Sequence, residues 1–313
     1  MISVNERASK IADAMIQGEE ELGVKFLKLK NGALVIDAGI NAQGSLKAGK
    51  LFSEACLAGL GSVSLCMEER PHVHVNVDHP AISCMASQFA GWAIKVEDYF
   101  AMGSGPARAL ARVEEKLFRE LKYEDKCEKA VIALETRKIP NEKVADFIAE
   151  KCKVGPDSLY ILAAPTASIV GSIQISARIV ETGVHKLHEV GFDICKIICG
   201  SGSAPIAPVA KNDLEAMGKT NDCVLYGGKT MYFVDIDDSE IEKVIDEIPS
   251  RASKDYGLPF LELFEKYDRD FFKIDPKLFS PAEVGINNLR TGRVFHAGSV
   301  DEEVLAKSLG ACM

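Results

Sequence analysis

Apolar residues recur at Ile169, Ile173, Ala177, Val180, Val184 and Leu187, the spacing of one helix face, and predict a helix over Ser168–Val190. Strict alternation over His72–Asp78 predicts a half-exposed strand with His72 and His74 on one face. Leu159–Ala164 is a continuous apolar run closed by Pro165, the pattern of a buried strand, and Phe192–Cys199 is the next strand. Strand, helix and strand joined by short links read as a βαβ unit, so these two strands are expected to be parallel. Val24–Lys30 and Ala33–Ala38 flank Asn31-Gly32 and predict a hairpin with a type I′ turn. Met102–Arg108 is expected to open a long amphipathic helix carrying Leu110, Val113, Leu117 and Leu121, with Pro106 in its first turn.

The other periodic segments fill in the same picture. Helices are expected over Val4–Glu20, Leu46–Leu60, Ala81–Ala90, Pro140–Cys152 and Asn212–Met217, and strands over Trp92–Val96 and Lys126–Leu134. Cys223–Tyr226 with Lys229–Asp235 reads as a hairpin-like pair. Two further helices and a last hairpin, Glu283–Asn287 with Arg293–Ala297, follow. The fold class is α/β of the α+β type, with mixed sheets and helices in two domains. The boundary is expected near Tyr123–Lys126, giving domains 1–125 and 126–313; whether they exchange segments is not legible in the sequence.

Composition narrows the function. The 313 residues are 47% hydrophobic, enough for two cores, and the formal net charge of −9 argues against a nucleic-acid partner. No apolar run is long enough to span a membrane, and Met1–Arg7 lacks the basic-then-apolar pattern of a secretory signal, so a cytoplasmic protein is expected. The nine cysteines, Cys56, Cys66, Cys84, Cys127, Cys152, Cys195, Cys199, Cys223 and Cys312, contain no C-x-x-C, and reduced, buried thiols fit them best. No metal site is expected, because His72 and His74 lack a third ligand at useful spacing.

Three constellations could carry chemistry. Gly103-Ser-Gly-Pro-Ala-Arg108 offers free N–H groups and a cation at a helix start, either an anion site or an ordinary helix start. Gly218-Lys-Thr220 and Gly228-Lys-Thr230 are not Walker loops, since Asp213 and Cys223 stand where the first glycine belongs. Arg178 and Glu181 lie three apart on one helix and share a face, with His185 one turn on. By pattern alone they are a surface ion pair or an active pair.

The stretches Met102–Leu110, Ala164–Arg178, Ala204–Val209, Ala216–Asp222, Ser280–Glu283 and Leu289–Gly292 together resemble the methenyltetrahydromethanopterin cyclohydrolase family of archaeal and methylotroph one-carbon metabolism, in order and along essentially the whole chain. The resemblance implies a homotrimeric enzyme of methanogenesis with the substrate pocket between two domains. The implied reaction adds water to the N5,N10-methenyl bridge of tetrahydromethanopterin and gives the N5-formyl form, with no metal or redox cofactor. It implies Glu181 as the water-activating base and Arg178 as the group that orients it. It implies a substrate-binding set of Lys95, Ser104, Gly105, Arg108, Ser168, Gln174, Lys219, Thr220, Asn221 and Glu283, in which the Gly103–Arg108 motif, Lys95 and Lys219 face the acidic tail of the pterin. Two alternatives stay open, a non-catalytic pterin-binding protein and an amidohydrolase acting on a folate-type substrate.

Overall fold

The computed structural model describes residues 2–310, with the side chain of residue 272 outside the description. The chain forms two compact units, one of residues 1–62 and 81–174, the other of residues 63–80 and 175 onward. Its strands are β1 (Lys25–Lys28), β2 (Leu34–Asp37), β3 (Gly61–Met67), β4 (Pro71–Asp78), β5 (Trp92–Val96), β6 (Tyr99–Ser104), β7 (Ala130–Glu135), β8 (Leu159–Ala164), β9 (Ile197–Pro205), β10 (Lys229–Val234), β11 (Glu283–Asn288) and β12 (Val294–Gly298). The first unit holds a six-stranded sheet in the order β1-β2-β8-β7-β6-β5, and the second a six-stranded sheet in the order β12-β11-β10-β9-β4-β3. Both are mixed, as expected: β2, β8 and β7 run parallel and β10 runs parallel to β11, while the other described pairings are antiparallel.

The first sheet is buried on both faces, which explains why β8 is apolar without alternation. Tyr160, Leu162 and Ala164 meet the helices Val4–Gln17 and Leu46–Cys56 through Met15 and Phe52, while Leu159 and Ile161 meet the helix Glu142–Cys152 through Val144 and Ile148. In the second unit the helices Asp213–Gly227, Phe260–Lys266 and Glu302–Leu309 share a core around Tyr226, Phe260 and Leu305.

Several expected elements change. The stripe over Ser168–Val190 is two helices, Ile169–Ser176 and Ile179–Glu189, and the chain passes from one unit to the other after Gln174. The strands on either side therefore belong to different sheets, β8 to the first and β9 to the second, and the expected parallel βαβ unit does not form. The boundary near Tyr123–Lys126 falls inside the first unit, because β7 pairs with both β6 and β8. Cys223–Tyr226 is the last turn of the helix Asp213–Gly227 rather than a strand; a short run buried on every side does not distinguish the two. The long helix after Met102 is a strand followed by the short helices Ala107–Ala111 and Glu115–Leu121, broken at the left-handed Arg112. In the first hairpin only Gly32 is left-handed (φ +95°), so its turn is not type I′, which requires that conformation at both central residues. Cys56, Cys84, Cys152 and Cys223 are buried, whereas Cys66 and Cys195 are exposed; Cys312 lies outside the described residues. No helix among the described residues is long and apolar enough to cross a membrane.

Asp222 gives the fold a pH dependence. It is buried in the helix Asp213–Gly227 and accepts hydrogen bonds from Phe260 N–H at 2.8 Å and from the Ser308 hydroxyl. Burial pushes its pKa up to about 7, whereas an unfolded aspartate ionises near ~3.9. Between those values the folded chain binds the more protons, so this group's contribution is full at low pH and is lost as pH rises through about 7. Asp222→Asn removes the titration. Denaturant unfolding at pH 5 and pH 8 is expected to show the wild type losing stability relative to the variant over that interval; parallel profiles would refute the assignment.

Candidate active site

The helix Ile179–Glu189 is pressed unusually close to the second sheet, and the sequence permits it by removing side chains on both surfaces. A Cβ on Gly202 would lie 3.1 Å from both Ile179 and Val180, and a Cβ on Gly183 would lie 2.0 Å from the Tyr232 hydroxyl and 3.2 Å from Pro281. With those side chains absent, Tyr232 of β10 donates a hydrogen bond to the Val180 carbonyl at 2.9 Å and pins the first helical turn. The chain that leads into this helix is tied down as well, by the Ser176 hydroxyl donating to the Pro205 carbonyl at 2.8 Å.

Arg178 occupies the capping position before the helix, and Glu181 stands in the first turn, where the helix dipole favours an anion. Arg178 Nη2 donates to Glu181 Oε2 at 2.7 Å. Glu181 is 4% exposed, so this is not the solvated surface pair that the spacing alone allows. Its other oxygen, Oε1, accepts no hydrogen bond from the described residues. Withdrawing a carboxylate from water costs stability unless its bonding is completed. A carboxylate with one oxygen fixed and one free is placed to take a proton from a small molecule bound against it.

The remaining expected residues divide by what their side chains already do. In the first unit, Gln174 is 8% exposed and its amide has no hydrogen-bond partner among the described residues, so its donors and acceptor are open to a ligand. Ser168 caps its own helix, donating to the Pro165 carbonyl at 2.8 Å and accepting from Gly171 N–H at 2.9 Å. Lys95 is exposed on the edge strand β5. In the second unit, Lys219 is half-buried, and neither it nor Lys95 has an ion-pair partner among the described residues. Thr220 is buried and donates back to the Ala216 carbonyl of its own helix, while Asn221 donates to Met217 O at 2.8 Å. Glu283 lies 3.1 Å from His296 Nε2, and the Ser280–Glu283 stretch reaches the helix Ile179–Glu189 through Pro281 at Gly183.

The Met102–Arg108 motif makes its described contacts with a neighbouring helix end. Residues Ala81–Gln88 form a π-helix, whose last turn leaves carbonyls without partners. The motif supplies the donors: the Ser104 hydroxyl to Gln88 O, Gly105 N–H to Ser87 O at 2.9 Å, and Arg108 Nη1 to Met85 O at 3.1 Å and Ser87 O at 3.0 Å. Arg108 is 0% exposed, lies 5.0 Å from the Phe89 ring centroid, and is balanced by Glu114 at 2.9 Å. Ser104, Gly105 and Arg108 are thus turned inward onto a helix end. Thr220 is likewise engaged within its own helix, and these contacts do not test the part of any of the four in substrate binding.

The sequence reading missed Tyr232 and the π-helix clamp. A signal for the first was present in Gly200-Ser-Gly202, which clears one face of a strand for a close neighbour. Nothing local marked the second, because it joins residues about twenty positions apart.

An arginine-held, largely buried carboxylate thus stands on a helix docked to a mixed sheet in an α/β protein of two compact units. The sequence model of the family described as Cyclohydrolase (MCH) matches residues 3–309. The methenyltetrahydromethanopterin cyclohydrolase of Methanocaldococcus jannaschii is 50% identical, covering 99% of both chains. Those of Methanothermobacter marburgensis and Methanosarcina barkeri are 49% and 46% identical, covering 99% of this chain and 100% and 99% of theirs. The chain belongs to the cyclohydrolase (MCH) family.

The clamp makes a stability prediction. Arg108→Ala strands the Glu114 carboxylate and the π-helix carbonyls, and breaking a buried ion pair costs ~3–5 kcal/mol. A lowered Tm is expected, with KM little changed in the protein that remains folded. A raised KM with an unaltered Tm would restore Arg108 to the substrate.

Proposed function

We propose that this chain hydrolyses the N5,N10-methenyl bridge of tetrahydromethanopterin to the N5-formyl form, with Glu181 as the base. The observation that carries this reading is the near-buried Glu181 carboxylate, held through Oε2 by Arg178 and open at Oε1. The names of the relatives supply the substrate. The methenyl carbon is part of an amidinium cation and is already electrophilic, so it needs a positioned water and a proton acceptor rather than a covalent nucleophile. Water at Oε1 transfers a proton to Glu181 as its oxygen bonds to the methenyl carbon. The resulting adduct carries a hydroxyl. Glu181 returns its proton to N10 as the C–N10 bond breaks, and the hydroxyl proton passes to solvent as the formyl C=O forms. One water is consumed and one proton is released, as the loss of the cation's charge requires.

Arg178 fixes which carboxylate oxygen faces the water, and a planar guanidinium suits that role better than a lysine ammonium. Gln174, Lys95 and Lys219 remain the candidates for contacting the substrate, the two lysines because an acidic protein must offer local cations to an acidic pterin tail. Ser168, Asn221 and Glu283 would act through the segments they hold. The same reading places a homotrimer in the cytoplasm.

Glu181→Gln keeps the shape and removes the basicity. A fall in kcat on the order of 10²-fold or more is expected, with KM little changed, followed by loss of methenyl absorbance. Assays on methenyl-tetrahydromethanopterin and methenyl-tetrahydrofolate side by side separate this reading from a folate-type amidohydrolase. Binding without turnover in the wild type would leave a pterin-binding protein. Near-normal turnover by the Gln variant would reject Glu181 as the base.

A further inference from the structure

We propose that the β3–β4 hairpin carries a binding site for a zinc-class divalent cation, formed by Cys66, Glu68 and His74. Cys66 lies near the end of β3, Glu68 follows it in the turn, and His74 stands on the neighbouring strand β4. The Cys66 thiol, a Glu68 carboxylate oxygen and a His74 ring nitrogen all lie within 4.8 Å of one another. His74 Nε2 is 2.8 Å from Glu68 Oε1, and Cys66 Sγ is 3.7 Å from the same oxygen. Tetrahedral zinc, with bonds of about 2.0–2.3 Å, sets neighbouring ligand atoms roughly 3.3–3.7 Å apart. The His74–Glu68 pair would have to open by roughly 0.5 Å to reach that separation, and the Cys66–Glu68 pair already has it.

His72 stands beside this trio, outside the group of three. Its Nδ1 lies 2.7 Å from the Arg70 carbonyl, which can only accept, so Nδ1 carries the hydrogen and the neutral ring presents its Nε2 lone pair. That Nε2 is 3.9 Å from Glu68 Oε2. A second hydrogen bond of this kind is what orients histidine ligands in metal sites. The sulfur, nitrogen and oxygen donors together select zinc, cobalt or nickel over magnesium and calcium, which take oxygen. Glu68 and His74 are half-exposed, so an ion can enter from solvent.

The site is separate from the proposed chemistry. In the antiparallel pairing of β4 with β9, His74 stands opposite Ser203 and Val75 opposite Gly202. Directly opposed residues share a face and successive residues alternate. The helix carrying Glu181 packs on the Gly202 face, so His74 projects from the other one. The cation would join β3, an edge strand, to β4 without touching Glu181.

The test uses the full chain, stripped of metal and kept reduced, titrated with Co²⁺ followed by absorbance and with Zn²⁺ followed by calorimetry. One cation per chain is expected, with a thiolate-to-cobalt charge-transfer band. Cys66→Ser should abolish that band, and His74→Ala should weaken Zn²⁺ binding by roughly 10–100-fold or more. Circular dichroism and turnover should be unchanged in both variants. A charge-transfer band that survives in Cys66→Ser, or Zn²⁺ affinity that is the same in the wild type and both variants, would overturn the site, as would failure of the wild type to bind either metal.

Discussion

The Arg178–Glu181 pair depends on how closely one helix can approach one sheet. Glycines at 183 and 202 remove the side chains that would hold the helix Ile179–Glu189 away from β9 and β10. Tyr232 then reaches the helix backbone and bonds to the Val180 carbonyl, next to Glu181 in sequence. Glu181 is thereby carried by regular structure on every side rather than by a loop. A base must sit within a few tenths of an ångström of the proton it accepts, and a docked helix provides that constancy. A methyl group added at Gly183 would collide with the Tyr232 hydroxyl and shift the turn that holds the Glu181 carboxylate.

Periodicity made the element types legible over most of the chain. The buried run of β8, the alternation of β4 and the final β11–β12 hairpin all form where the residue pattern places them. What periodicity cannot register is a change of partner. The apolar stripe from Ile169 to Leu187 continues at helical spacing across Ala177 and Arg178, yet Val170 packs in the first unit and Val180 against β9 in the second. One stripe therefore serves two cores, and the expected crossover between β8 and β9 dissolves. The break also brings Arg178 to the cap of the helix whose first turn bears Glu181.

The candidate site was legible to a different degree. The i, i+3 spacing placed Arg178 and Glu181 in contact correctly, but spacing does not report burial, and burial separates an active carboxylate from a surface ion pair. The Gly103–Arg108 motif shows the converse. Its donors were read as an anion site or an ordinary helix start. In the structure they bond to carbonyls at the end of the π-helix Ala81–Gln88, which the pattern did not indicate. Arginine, glycine and a free N–H serve either purpose, so only the neighbouring residues in space decide between them.

The second sheet uses the alternation of its strands to keep two chemistries apart. On β4, valines at 73, 75 and 77 turn toward the buried face, which faces the helix of the catalytic pair. The residues between them, His72, His74 and Asn76, turn the other way, and the turn after β3 brings Glu68 and Cys66 to the same side. A slip of one residue in the register of β4 would exchange the two sets, burying imidazoles under the helix and exposing valines. The register that packs the valines under the catalytic helix is therefore also what gathers the thiol, carboxylate and imidazoles on the opposite surface. A histidine ladder that looked like mere polar facing of a strand acquires its third ligand only when the adjacent strand is laid beside it.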